Sequence, residues 1–348
     1  MSFHQRQVDM SLKAFAIFGC LWAFAAVSCN QLVFAEEQDV DALETKTVAS
    51  IASPGESFEL IVVSPDGKLV ATTSGIFSKS VELWDAATGK QLGSLPNVKD
   101  QVNCLAFTPD GKTIITGDGV GTVAVWDVAT RKLKKKFKAT LDSVKDSGSM
   151  ISALAVSSDG KIVYVAEIMH APGIWDVAKA KRIVKDREAE GSPTALSLAP
   201  KSQILVAAVR GLRLSDPKTG KERKSIPLEG GTVRTMRFSP DEKLLAVGHD
   251  LGLVLIDVSS GKATVLDDIN GHPAVAFSND GRTLIAYRHS AISTWDVESG
   301  KKQAAIEIKR ETAADTKGAM SADGSIVAFP ISKTKLDVYE IPAVKSKK

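Results

Sequence analysis

The sequence predicts an all-β chain in which one four-stranded unit is repeated seven times. Three observations carry this expectation. Tryptophan-aspartate pairs recur at Trp84-Asp85, Trp126-Asp127, Trp175-Asp176 and Trp295-Asp296. A tight-turn sequence precedes them, Ser64-Pro65-Asp66-Gly67 in the first case. The equivalent anchors Trp84, Trp126, Trp175, Ser215, Ile256, Trp295 and Tyr339 are separated by 42, 49, 40, 41, 39 and 44 residues. Self-similarity at a period of about forty residues marks one supersecondary unit stacked many times.

Each unit opens on an apolar strand, such as Cys104-Leu105-Ala106-Phe107, followed by the turn and a second apolar strand, such as Thr113-Ile114-Ile115-Thr116. The turns in order are Ser64-Pro65-Asp66-Gly67, Thr108-Pro109-Asp110-Gly111, Ser157-Ser158-Asp159-Gly160, Ala199-Pro200-Lys201-Ser202, Ser239-Pro240-Asp241-Glu242, Ser278-Asn279-Asp280-Gly281 and Ser321-Ala322-Asp323-Gly324. Proline presets φ, aspartate bonds its own backbone and glycine accepts positive φ, so these are hairpin turns with a mechanism. A third strand ends at the Trp-Asp position. Asp216, Asp257 and Glu340 keep the acid where tryptophan is missing. A second turn follows, as at Thr88-Gly89-Lys90 and Ser299-Gly300-Lys301, and leads into a more polar fourth strand.

With these turns and this spacing, the chain resembles the WD-repeat (WD40-like or YVTN-like) β-propellers of exported bacterial type, over roughly residues 43–343. The resemblance implies a seven-bladed β-propeller of four-stranded antiparallel blades around a central channel. The seventh repeat supplies only three strands, and residues 45–51 read like the fourth strand of other repeats. An N-terminal strand is therefore expected to complete the last blade. The blades depart from the family pattern: where an Asp normally precedes the tryptophan by six residues stand Ser78, Val120, Met169 and His289. Thr72 and Thr116 remain as acceptors for the indole N–H.

The first 35 residues read differently. Arg6 and Lys13 precede an uncharged apolar run of 14 residues, Ala14 to Val27, which is short of the ~20 needed to span a membrane. Val33-Phe34-Ala35 suits signal-peptidase cleavage before Glu36, and an alternative signal, Ala26-Val27-Ser28-Cys29, would lipidate Cys29. The expected organisation is a signal peptide at 1–35 and a single propeller at 36–348, with no membrane span after cleavage. Its blades are expected at about 57–95, 100–138, 150–185, 192–227, 232–267, 272–307 and 313–341 plus 45–51. The expected location is periplasmic or secreted.

Residues 36–348 carry +2 of the chain's +3, because the leader holds Arg6, Lys13 and Asp9. Near neutrality argues against a nucleic-acid partner. Cys104 is the only cysteine beyond the leader, so no internal disulfide is available and the core must hold the fold. It lies in an apolar strand, as a buried thiol.

No nucleophile triad, phosphate loop or metal-ligand spacing is present, and neither cofactor nor metal is expected. His170, His249 and His289 fall in turns between second and third strands and read as solvated. Counting four residues back from the last hydrophobe of each first strand gives channel-mouth candidates Glu59, Asn103, Ser152, Thr194, Arg234 and Thr316. One residue before that hydrophobe, small residues dominate except at Arg237, the best single anion-binding candidate. Met169, His170 and Pro172, with a long loop near 140–150, offer a partner-binding surface. The basic run Arg131 to Lys138 reads as a protected sheet edge.

The function expected is a monomeric, non-catalytic scaffold for protein partners. A small-molecule-binding or enzymatic propeller (lactonase-like or dehydrogenase-like) using the channel mouth is the alternative, and an envelope-polymer binder using the basic edge is a third.

Overall fold

Seven blades of four antiparallel strands stand side by side in a ring, six of them with their strands in sequence order. The computed structural model describes residues 41–42, 45–53, 56–75, 77–96, 98, 100–139, 150–168, 172–183, 193–199, 201, 204–208, 211–216, 218–229, 231–267, 274–288, 291–308 and 318–342. The chain divides into Met1–Gln31 and Leu32–Lys348. The first of these, with the expected leader and Cys29, lies outside the described residues.

Blade one comprises Phe58–Val63, Leu69–Ser74, Val81–Asp85 and Gln91–Leu95. Blade two comprises Val102–Phe107, Thr113–Asp118, Thr122–Asp127 and Leu133–Lys138. Blade three has Ile151–Val156, Ile162–Glu167, Gly173–Asp176 and the short Lys181–Arg182. Blade four has Leu196–Leu198, Leu205–Ala208, Leu212–Ser215 and Glu222–Ile226. Blade five has Val233–Phe238, Leu244–His249, Gly252–Asp257 and Ala263–Asp267. Blade six has Ala274–Phe277, Thr283–Arg288, Ala291–Asp296 and Lys302–Glu307. Blade seven takes Ala319–Met320, Ile326–Pro330 and Lys335–Glu340 from the C-terminal end, and its outer strand is Lys46–Ala52.

That outer strand pairs antiparallel with Lys335–Glu340, from Lys46 opposite Glu340 to Ala52 opposite Lys335. The ring is therefore closed by the N-terminal strand, as the repeat count predicts. One strand was not foreseen: Asp41–Ala42 runs parallel to the outer strand of blade six, opposite Ala304 and Ala305.

The core is divided among seven apolar seams, one between each pair of neighbouring blades. The seam between blades seven and one gathers Ala49 and Ile51 from the closing strand, Leu336 and Val338 from blade seven, and Phe58, Ile61 and Trp84 from blade one. Between blades six and seven, Phe329 stacks on Tyr287 at 4.3 Å and on Tyr339 at 5.0 Å between ring centroids. Tyr339 thus fills an aromatic position in a blade that lacks tryptophan.

The hairpin turns carry the polar chemistry expected of them. Ser64 Oγ donates to Asp66 Oδ1 at 2.7 Å, and the same carboxylate accepts from the Lys68 N–H. The pattern recurs around Asp110, Asp159, Asp241, Asp280 and Asp323. In blade four Ala199 and Lys201 replace the serine and aspartate. There the Lys201 N–H reaches the Glu242 carboxylate in the next blade's turn, and its Nζ donates to Pro240 O at 2.8 Å.

The tryptophans split into two classes. Trp84 Nε1 donates to Thr72 Oγ1 at 2.9 Å, and Trp126 Nε1 to Thr116 Oγ1 at 3.2 Å. Each threonine lies two residues beyond the residue opposite the tryptophan, Val70 or Ile114. Opposite Trp175 and Trp295 are Val163 and Leu284, so the same position holds Val165 and Ala286. Among the described residues, the buried indole N–H groups of Trp175 and Trp295 have no hydrogen-bond partner. Thr72→Val should therefore destabilise the protein by about 1–2 kcal/mol, because it leaves a third buried indole donor unsatisfied. Val165→Thr should stabilise it by about 1 kcal/mol by supplying an acceptor of nearly equal shape. Urea unfolding of both variants checks the pair: equal midpoints would mean that the indole bond contributes nothing.

Cys104 is buried, with its Sγ beside Gly117 O, and burial pushes its thiol up to about 12. The thiol is inert in the folded state.

Candidate functional site

A cavity of about 190 Å³ opens among the innermost strands of blades five, six, seven and one. Its walls are Ile61, Val62 and Val63 from blade one, Arg234, Thr235 and Arg237 from blade five, Ala274 and Val275 from blade six, and Gly318, Ala319 and Met320 from blade seven. Among the described residues the lining side chains are apolar apart from Thr235 and two guanidinium groups, and they include no carboxylate.

The channel-mouth candidates owe their position to a shared backbone feature. The ladder between first and second strands shifts register between Phe58 and Leu60, Val102 and Cys104, Ile151 and Ala153, and Val233 and Thr235. Glu59, Asn103, Ser152 and Arg234 are the residues skipped. Each is a β-bulge residue, left out of the pairing so that its side chain is re-aimed.

Most of this column is engaged in intramolecular bonds. Glu59 Oε1 accepts from Ser57 Oγ at 3.0 Å. Ser152 Oγ bonds Ala166 O and, at 3.0 Å, Pro193 O on the path into blade four, which stitches two blades together. Asn103 is half-buried, and its Nδ2 is buried without a partner among the described residues. Thr194 is exposed, with its backbone N–H donating to Ala208 O. Thr316 lies outside the described residues, as do Met169 and His170. Pro172 is half-buried just before the third strand of blade three.

The two arginines differ. Arg234 holds Asp250 in a two-pronged ion pair, Nε to Oδ1 at 2.7 Å and Nη2 to Oδ2 at 3.2 Å. The guanidinium holds the Asp250 carboxyl below its ordinary value. The Arg234 charge is thus paired within its own blade. Arg237 has no such partner among the described residues. Among the described residues its hydrogen bond is from Nη1 to the adjacent Met236 O at 3.3 Å. Water reaches the side chain, yet the surrounding ring desolvates the guanidinium enough to lower its pKa. It stays charged at any physiological pH.

His249 also departs from expectation. It is 5% exposed, not a solvated turn residue, and its Nδ1 accepts the Leu251 N–H at 3.3 Å. Burial lowers its pKa; Asp250 opposes the shift and Arg288 reinforces it. Arg288, itself buried, pairs at 2.5 Å with Asp267 on the outer strand of blade five, joining blades five and six. Among the described residues no three His, Cys, Asp or Glu side chains converge to hold a metal ion.

The two ends of the ring have unlike surfaces. One end carries the first-to-second and third-to-fourth turns, and its exposed side chains include Asp66, Lys68, Lys112, Asp159, Lys161 and Lys243. The opposite end carries the second-to-third turns and the entries into first strands. It shows the exposed large apolar side chains Phe77, Val120, Met150, Ile168 and Leu251. The other exposed large hydrophobes, Leu92, Leu133 and Ile183, lie on or beside outer strands. Sequence reading placed the turn at Met169, His170 and Pro172, next to Ile168, on a partner-binding surface, but missed Phe77, Val120 and Leu251. Single apolar residues in turns give no signal until the turns are seen to share a face.

Residues 89–127 match the WD domain, G-beta repeat. The matched segment begins at the turn before the outer strand of blade one and ends with the third strand of blade two. The sequence repeat is therefore one strand out of phase with the blade. The molecule is a seven-bladed propeller with one WD40-like blade motif, ending in a blade whose turn and tryptophan bonds are both intact, as they also are in blade one. No curated protein matches the chain.

The basic run forms the outer strand of blade two, with Lys134 Nζ 2.8 Å from Asp127 and Lys138 Nζ donating to Val120 O. No helix among the described residues is long and apolar enough to cross a membrane.

Proposed function

We propose that the protein is a non-catalytic interaction scaffold, exported to the periplasm or extracellular space, that binds a protein partner through the end of the ring bearing the second-to-third turns. The observation that carries this reading is the asymmetry of the two ends: Phe77 is 78% exposed, and among the described residues every large exposed hydrophobe on a turn lies on that end. Scattered single apolar residues need no explanation, but a concentration on one face of a rigid ring is the character of a contact surface. Blades one, two, three and five contribute, so a partner would lie across the ring and touch several repeats at once. Export is supported by the charged, apolar and small-residue succession of residues 1–35.

The test is affinity capture from the native envelope fraction with three baits. The wild-type chain should retain a partner. A Phe77→Glu, Leu251→Glu variant should lose it while keeping the wild-type melting temperature, because both side chains are already in water. Lys68→Glu, Lys112→Glu on the other end should retain it. Capture that survives the first variant and fails with the second would place the surface on the wrong end. The absence of any partner above background would remove the scaffold reading.

A further inference from the structure

We infer that the channel cavity beside Arg237 is a binding site for a small organic monocarboxylate, whose charge meets the guanidinium and whose short apolar body lies against Val62, Val275, Ala319 and Met320. This goes beyond the scaffold reading and does not depend on it.

The sequence position of Arg237 shows that the charge is placed there by one blade alone. At the same point of the innermost strand the other blades have Val62, Ala106, Ala155, Ser197, Ala276 and Ala319. A propeller needs no cation at this ring, since six of seven blades do without one. The local chemistry then selects the ligand. Arg234 is satisfied by Asp250, and among the described residues no wall of the cavity offsets the Arg237 charge. Planar guanidinium N–H groups match a carboxylate in a two-pronged geometry. A single sign of charge between low-dielectric walls also concentrates anions from solution. The remaining walls are aliphatic, so an anion with an apolar body gains more than a bare one. The volume of about 190 Å³ sets the scale. A cavity of about 150 Å³ admits benzene, so this one holds a molecule of similar or slightly larger size and excludes nucleotides.

The test is thermal unfolding of the full chain in sodium isobutyrate or benzoate, at ionic strength matched with sodium chloride. The comparison ligands are isobutyramide, which keeps the shape without the charge, and inorganic phosphate, which keeps charge without the apolar body. At a hundredfold excess over Kd, either carboxylate should raise the melting temperature by about 4 °C. The amide and phosphate should not. Arg237→Gln should abolish the shift, and its unliganded melting temperature should be no lower than wild type, since a desolvated charge has been removed. A second variant, Ala319→Leu, keeps the arginine and fills the cavity; it too should abolish the shift. The assignment is overturned if neither carboxylate shifts the transition, if the amide or phosphate does so equally, or if the shift persists in Arg237→Gln or Ala319→Leu.

Discussion

Deletion of residues 36–52 is expected to lower stability by on the order of 5 kcal/mol or more, enough to leave much of the protein unfolded at moderate temperature. The loss has two sources. Ile51 is 1% exposed in the seam between blades seven and one, and truncating such a side chain alone costs about 2–5 kcal/mol. The ladder from Lys46–Ala52 to Lys335–Glu340 goes too, at about 1 kcal/mol for each hydrogen bond. Ser50 Oγ also donates to Asp337 at 2.5 Å. The strand is gripped from its other side as well. Gly89, at φ +70°, turns under it so closely that a Cβ there would lie 2.6 Å from Ser50 O. Ile51→Ala should reproduce the first part of the loss alone, and Gly89→Ala should destabilise through both strain and collision. Calorimetry of the deletion variant is decisive: an unchanged melting temperature would mean that the ring does not depend on its closing strand.

The second large effect is acid instability. Twelve aspartates have carboxyls held below their ordinary value: Asp66, Asp85, Asp110, Asp127, Asp159, Asp176, Asp216, Asp241, Asp250, Asp257, Asp280 and Asp323. In most first-to-second turns the main cause is the Ser or Thr hydroxyl two residues earlier. At Asp323 burial opposes the shift, and the bonds from Ser325 and Ser321 outweigh it. At Asp257 the Ser260 N–H leads, and the value falls to about 2. A carboxyl with a depressed folded pKa contributes stability above its unfolded value, near 4, and loses it as pH falls through the folded one. His249 acts in the same direction from a higher pH. Its folded pKa is also lowered, so the folded state resists its protonation and stability begins to fall below about 6.5. Each exposed turn is worth little by itself, but the repeat multiplies it. The urea midpoint should be nearly level above pH 6.5, decline gently to pH 4, and drop steeply from there towards pH 2. In Asp66→Asn the deficit relative to wild type should shrink as pH falls. A midpoint that does not change between pH 7 and 2.5 would show that these turn bonds hold no net energy.

The architecture was legible because its signals are local and repeated. The turn at Ser64-Pro65-Asp66-Gly67 and the spacing to Trp84 state a hairpin and a third strand without reference to anything distant. Even the column of Glu59, Asn103, Ser152 and Arg234 could be found by counting, since a bulge at a fixed point of the strand keeps a fixed offset from its end. What that column does could not be counted. The bond from Arg234 to Asp250 needs the second-to-third turn folded back over the first strand, and Ser152 reaches Pro193 only when two blades stand side by side. His249 read as a solvated turn residue because its turn was placed one residue too early; it ends a strand and is buried. The orphaned indoles of Trp175 and Trp295 fall between these cases. Register predicts which residue should receive the bond, but only the structure shows that no other acceptor among the described residues has taken its place.

Phase matters too. Because the repeat begins on the outer strand of the preceding blade, the closing strand Lys46–Ala52 is synthesised before blade one and pairs only after the last strand of blade seven. Ser50 and Asp337 are 287 positions apart. At about 5–20 residues per second, the nascent chain waits on the order of 15–60 s before the strand it must pair with exists. During that interval Lys46–Ala52 is a bare template, and blades one to six can already be stacking in order. Any other copy of the chain that offers a Lys335–Glu340 strand in that interval can be taken instead, giving two rings that exchange their clasps. Crowded synthesis would favour such exchanged dimers, and slow, dilute synthesis the single closed ring.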